Sequence, residues 1–310
     1  MKPTLAVVLV ALLLPAASAT RDDEPALTVK QLIEKLKDKD AAKRVEAARE
    51  LGRIGLDAKE AIPALTAAVK DPSEKVRTYA IVALKQMGAE AKSAIPALID
   101  ALKDKDEDVR TVACDALGRM GPEAKEAIPA LADLFKDTGV APNAIRAVEQ
   151  MGPDAKKTIP QLEAALQNKN IRGYAAQALA RFGADGLKVL EKAFEDKDED
   201  LRVEVVLALG LTGRDGVPLL TKALKDKDAE VRLNAVTELA RVGAKDAVEA
   251  MAALLKDENA GVRAQAAKAL GSLGPDAKAA LPALKEAQKN DKEEAVRKAA
   301  EDAVDLITRK

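Results

Sequence analysis

The side chains of this sequence that could do chemistry are almost all carboxylates and guanidinium groups, and they recur in a fixed order. An aspartate precedes an arginine by six residues in Asp38/Arg44, Asp71/Arg77, Asp104/Arg110, Asp196/Arg202, Asp226/Arg232, Asp257/Arg263 and Asp291/Arg297. Several of these aspartates open a DKD triplet, at 38–40, 104–106, 196–198 and 226–228. Clustered carboxylates could take a hard cation such as calcium, or pass protons as a pair. The segment DKDED at 196–200 lacks the EF-hand spacing with its central glycine and closing glutamate. Solvated turns and arginine partners account for these acids at least as well. None leaves the repeating order to form an isolated pair.

Other chemistry is excluded by composition. The chain has no histidine, hence no Ser-His-Asp triad, no Cys-His pair and no imidazole metal ligand. Its one cysteine, Cys114, cannot close an intramolecular disulfide. Cys114 falls four residues after Arg110, where other repeats place Ala48, Ile81, Ala176, Val206 and Val236. It therefore reads as a small buried hydrophobe rather than a reactive thiol. With 50 Lys+Arg against 51 Asp+Glu the net charge is −1, which gives no bulk attraction for nucleic acid or an anionic membrane. The reading calls for no cofactor and no metal.

The elements that position these residues form a repeat of about 30 to 34 residues. Glycines at 55, 88, 121, 152, 183, 213, 243 and 274 each lie eleven residues after a rim position, which is arginine in all but one case. Phrases such as GLDAKEAIPAL, GAEAKSAIPAL and GPEAKEAIPAL follow the first three. Three, seven and ten residues after the arginine come small or apolar side chains, as in Ala47/Leu51/Ile54, Ala80/Leu84/Met87 and Ala113/Leu117/Met120. Spacings of four and three make one stripe of an α-helix. The glycine just beyond is a helix stop. Segments such as Ile128 to Phe135 predict a preceding first helix with proline in its opening turn. Apolar residues are 48% but aromatics only 2%, so the core must be many thin layers of small side chains rather than one large globule.

This arrangement resembles the HEAT-repeat family and its shorter bacterial relative, the HEAT-like repeat named after phycobilisome lyases, from Leu27 to the C-terminus. The resemblance implies an all-α superhelical solenoid of about nine helix pairs. The repeats fall at about 27–55, 56–88, 89–121, 122–152, 153–183, 184–213, 214–243, 244–274 and 275–310. It also implies that the Asp and Arg residues form a structural ladder within and between repeats, and that each second helix lines a concave surface. On that helix, the side chains two, five and nine residues after the arginine lie opposite the core stripe. A candidate partner ridge among them comprises Tyr79, Arg119, Tyr174, Arg181, Leu207, Leu211 and Arg241, since Tyr and Arg often anchor interfaces. A plain solvated face is the alternative.

Repeats four and five depart from the pattern. Ala141 stands where the ladder arginine belongs, Asn168 and Asn170 replace aspartates, and Gly139 and Pro142 interrupt the turn between the helices. Sequence drift and a hinge at 137–143 are both consistent with this. Lys43 at the first repeat, and Glu301 and Asp305 at the last, are polar residues suited to caps.

Residues 1–19 read as a secretory signal peptide: Lys2, the apolar run Leu5–Leu14, and small residues ending at Ala19 before Thr20. An apolar run of ten residues is well short of the ~20 needed to span a bilayer, and an uncleaved anchor is the alternative. A polar segment at 20–26 follows. The chain is thus expected to be exported, periplasmic or secreted. It reads as a non-enzymatic scaffold for a protein or peptide, without nucleic acid and without membrane contact after cleavage.

Several HEAT-like enzymes are poor precedents. Deoxyhypusine hydroxylases need His-Glu motifs that are absent here, and bilin lyases are related by repeat name alone. Related DNA glycosylases need a basic cavity with base-stacking groups. An enzyme-associated subunit and a purely structural spacer stay open as alternatives.

Overall fold

The computed structural model describes residues 27–309; the predicted signal peptide and the polar segment at 20–26 lie outside them. The described residues form nine helix pairs. The first helices are α1 (Val29–Lys35), α3 (Ile62–Ala68), α5 (Ile95–Ala101), α7 (Ile128–Asp133), α9 (Ile159–Ala165), α11 (Ala184–Ala193), α13 (Val217–Ala223), α15 (Val248–Ala253) and α17 (Leu281–Asn290). The second are α2 (Ala41–Ile54), α4 (Glu74–Met87), α6 (Glu107–Met120), α8 (Ala141–Glu149), α10 (Arg172–Arg181), α12 (Glu199–Leu209), α14 (Ala229–Arg241), α16 (Ala260–Ser272) and α18 (Glu294–Thr308).

Each boundary follows from local chemistry. The last aspartate of the charged turn caps the second helix: Asp40, Asp106, Asp198 and Asp228 accept backbone amides of the first turn. The helix stops at a glycine with positive φ, for example Gly88 at 56°. A 3-10 turn then runs through Gly88–Ala94, and Ile-Pro opens α5, where the proline's missing N–H costs nothing. Helical periodicity alone does not anticipate these 3-10 turns. Their buried alanines, Ala91 and Ala94, fill the space between first helices.

The predicted stripe is the core. Leu51, Leu84, Leu117, Leu209, Leu239 and Leu270 are all fully buried, and the apolar spine continues to Ile307. Between repeats, second helices pack directly on one another, whereas first helices meet mainly the intervening turns. The stack is therefore tighter along the second helices, which places them on the inner side of the curve. Close approach depends on small residues eight positions after the arginine. A Cβ at Gly118 would lie 2.9 Å from the Ala147 Cα, and one at Gly271 would lie 2.9 Å from the Ala303 Cα.

The irregular repeats differ in one measurable way. Asp71 to Arg77 spans six residues, but Asp137 to Ala141 and Asn168 to Arg172 span four. Both α8 and α10 start without a side-chain cap, and Pro142 sits inside the first turn of α8 rather than outside the helix. Repeat six shortens elsewhere: α11 begins directly after Gly183, with no 3-10 turn. Among the described residues no helix is long and apolar enough to cross a membrane.

Charged rim and candidate concave interface

The aspartates and arginines meet between repeats rather than within one. Arg44 donates from Nε and Nη2 to the two carboxylate oxygens of Asp71, at 2.7 and 2.8 Å. Its Nη1 donates to the backbone oxygens of Asp38 and Lys39, at 2.8 and 3.1 Å. Arg44 thus closes its own turn through carbonyls and grips the next repeat through a carboxylate. Arg202/Asp226, Arg232/Asp257 and Arg263/Asp291 repeat this bidentate arrangement. Arg77 reaches Asp104, and Arg110 reaches Asp137.

The same aspartates accept the amide two residues on, as Asp71 does from Ser73 at 2.9 Å. Burial by itself raises the carboxyls of Asp71, Asp104, Asp226 and Asp257. Hydrogen bonds from arginine and from the turn amides outweigh it and hold all four below the ordinary range. Asp38 and Asp196 accept the amides of Asp40 and Asp198 in their own turns, and Asp38 also lies 3.4 Å from Lys43.

Between repeats four and five the rung is missing from both sides, because Ala141 takes the arginine's place and Asn168 that of its aspartate. The shortened turn also strips Arg172 of carbonyl acceptors. It donates from Nη1 to the capping residue Asp198 at 3.0 Å, and its Nε has no protein partner. Charge bridges also run along the concave side. Asp115 accepts Lys85 at 3.2 Å and Asn143 at 3.2 Å and lies 3.8 Å from Arg146, spanning repeats two to four. Glu149 lies 3.6 Å from Arg181 and joins repeats four and five. Burial pushes the Glu149 carboxyl above its ordinary range, against the pull of Arg181 and Arg146.

Sequence reasoning missed Glu149 and Glu238. The available signal is register: both occupy interhelical positions that are glycine or alanine in most repeats. Glu238 lies over Gly210, where an added Cβ would be only 1.7 Å from its Oε2.

A regular register runs across the concave face. The side chain five residues after one arginine meets the side chain two after the next, as in Thr237/Gln265 at 2.9 Å and Asp115/Asn143. Tyr79 is half-buried beneath the Arg49 guanidinium, 5.7 Å from the ring centroid. Arg119 is exposed at the end of α6. Tyr174, Leu207 and Leu211 are 48%, 39% and 44% exposed. Arg181 and Leu211 line one cavity of about 420 Å³ with Glu149, Leu187 and Asp215. Arg241 is held by Glu238 at 2.7 Å. The structure therefore gathers Arg181 and Leu211, places Tyr174 on the helix of Arg181 and Leu207 on the helix just before Leu211, and leaves Tyr79 and Arg119 on separate helices.

Burial pushes the Cys114 thiol up to about 12, far from a reactive thiolate. Among the described residues no group of three or more His, Cys, Asp or Glu is placed to hold a metal ion.

The family profile described as HEAT repeats matches residues 29–95, 89–152 and 217–305. The chain belongs to the HEAT-repeat family. No curated protein matches it. Among solved structures, Kap121p bound to Ste12p shares the HEAT architecture with TM-score 0.67 at 16% identity, covering 93% of this chain and 38% of that one. The karyopherin Kap121p bound to the extreme C-terminus of the protein phosphatase Cdc14p gives 0.65 at 15%, with the same coverage. A Kap95p structure, described for inducing the switch loops of RanGDP to adopt the GTP-bound conformation, gives 0.65 at 15%, covering 90% and 45%. The chain thus spans less than half the length of these proteins, and the likeness is one of fold.

Proposed function

We propose that this HEAT-repeat chain is a non-catalytic scaffold that holds a protein or peptide partner on its concave face, outside the cytoplasm. The observation that carries this reading is the exposure of Tyr174 on α10, Leu207 on α12 and Leu211 in the turn after α12, with Leu211 lining a cavity that includes Arg181. Large apolar and aromatic side chains exposed on one face, with an arginine among them, are the usual composition of an interface. The acids do other work: they cap helices, close turns and pair with arginine. That a relative in fold is described as bound to the C-terminus of another protein is in keeping with this reading.

Export rests on the signal-like segment at residues 1–19. Mass spectrometry of the chain recovered from its own cell should show an N-terminus at Thr20; an intact Met1 on a cytoplasmic protein would overturn that part. Affinity capture from the extracytoplasmic fraction should yield a partner that is lost with Tyr174→Ala/Leu207→Ala/Leu211→Ala. Undiminished capture by this triple variant would remove the concave site.

A further inference from the structure

We infer that the row of side chains nine positions after the rim arginines selects an extended polypeptide segment with acidic residues about five to six positions apart. This rests on the reading that the concave face holds a protein partner, and it names the chemistry of that partner. Arg53, Arg119, Arg181 and Arg241 occupy the row in repeats one, three, five and seven. Repeats two and four place Gln86 and Gln150 there, and repeat six Leu211, so cationic and neutral positions alternate. All seven side chains are exposed, and no acid lies in the row.

Spacing decides the ligand. Packed helices lie roughly 8–10 Å apart, so successive arginines of the row are about 16–20 Å apart. An extended chain advances about 3.3 Å per residue, so two acids five or six positions apart meet consecutive arginines. Between them, the amides of Gln86 and Gln150 can both donate to and accept from a peptide backbone. At the next repeat, Leu187 and Leu211 line a cavity of about 420 Å³ with Glu149, Thr212 and Asp215, and the two leucines offer contact to an apolar side chain. That side chain falls about three residues from the acid on Arg181.

The arginines are open to a second carboxylate. Arg119 has no ion pair among the described residues. Arg53, Arg181 and Arg241 each touch one glutamate, yet their side chains stay 76%, 60% and 51% exposed. A guanidinium offers five donors, and one glutamate leaves most of them free. A nucleic-acid strand fits less well. It carries a charge on every residue and would set phosphates at the neutral places of the row, one of which, Gln150, adjoins Glu149. A peptide with spaced acids leaves those places neutral.

The test is selection from a random library of extended peptides, about 16 residues long so as to reach three arginines of the row. The described chain is the bait, and binders are then measured by fluorescence anisotropy. Recovered peptides should carry acids five or six apart with an apolar residue between, and Arg119→Glu or Arg181→Glu should weaken them at least about tenfold. An acid-to-arginine change in the peptide should restore binding to Arg181→Glu. Binders without spaced acids, binders indifferent to both arginine variants, or a 20-nucleotide single-stranded DNA binding more tightly would each overturn the inference. Peptides lost with Tyr174→Ala/Leu207→Ala/Leu211→Ala but indifferent to the arginine variants would sink the acid spacing alone. Peptides indifferent to both sets would sink the concave reading as well.

Discussion

At the junction of repeats seven and eight, Arg232 donates to both oxygens of Asp257 and to two carbonyls of its own turn. At the junction of repeats four and five, the same places hold Ala141 and Asn168, and the ionic link is Glu149 to Arg181 on the concave side. The difference traces to turn length. A six-residue step from aspartate to arginine leaves two carbonyls within reach of the guanidinium; a four-residue step removes them. Arg172 shows the consequence, since it keeps a carboxylate but no carbonyl. A rung is therefore a property of turn and carboxylate together. At the fourth junction the charge pair lies on the inner face instead, with Glu149 partly buried.

The comparison can be broken at several points. Leu239→Ala, at a fully buried position beside the regular junction, should lower stability by about 2–5 kcal/mol in urea unfolding. Because each repeat contacts only its neighbours, hydrogen exchange should show the damage confined near α14, while in the unaltered chain α8 and α10 open first. Uniform exchange along the unaltered chain would remove the claimed weakness of the fourth junction. Arg232→Lys should cost about 1.5–3 kcal/mol, since one ammonium cannot serve both oxygens and two carbonyls. Arg172→Lys should cost less than about 1 kcal/mol, and equal costs would dissolve the distinction.

The two junctions should also titrate in opposite directions. The rim aspartates have lowered pKa values, so their contribution is present above the unfolded value of about 3.9 and is lost as pH falls through the folded values. Glu149 is raised above its ordinary 4.5, so its contribution is present below that value and is lost as pH rises through the folded one. Thermal melts across pH should show Glu149→Gln flattening the loss above 4.5 while leaving the acid limb intact. A variant that alters only the acid limb would reverse this assignment. The smallest effect belongs to the outer turns: Lys245 and Asp276 are 2.8 Å apart but 57% and 46% exposed, and Lys245→Ala should change stability by no more than about 0.5 kcal/mol.

The helix pairs were legible because their signals are local. A stripe such as Ala80/Leu84/Met87, a capping aspartate and a glycine stop all lie within one or two turns of each other. The paired loss of Ala141 and Asn168 was visible, but its meaning was not, since the sequence places Asp71 six residues from Arg77 and 27 from Arg44. The ridge was legible only as a helix face. Tyr79 and Tyr174 share a register position, and an arginine precedes each in the neighbouring repeat; yet Tyr79 sits under Arg49, whereas Tyr174 stands open and Arg146 lies 3.8 Å from Asp115.

By itself, then, the sequence determined that this chain is an array of α-helix pairs, the capping aspartates and glycine stops of its regular repeats, and which stripe faces the core. Those outcomes depend on contacts three to six residues apart. Tertiary structure decided which carboxylate each arginine takes, where the missing rung is replaced, and which concave side chains remain exposed. These depend on register between stacked helices some thirty residues apart, set by how closely glycine and alanine let the backbones approach.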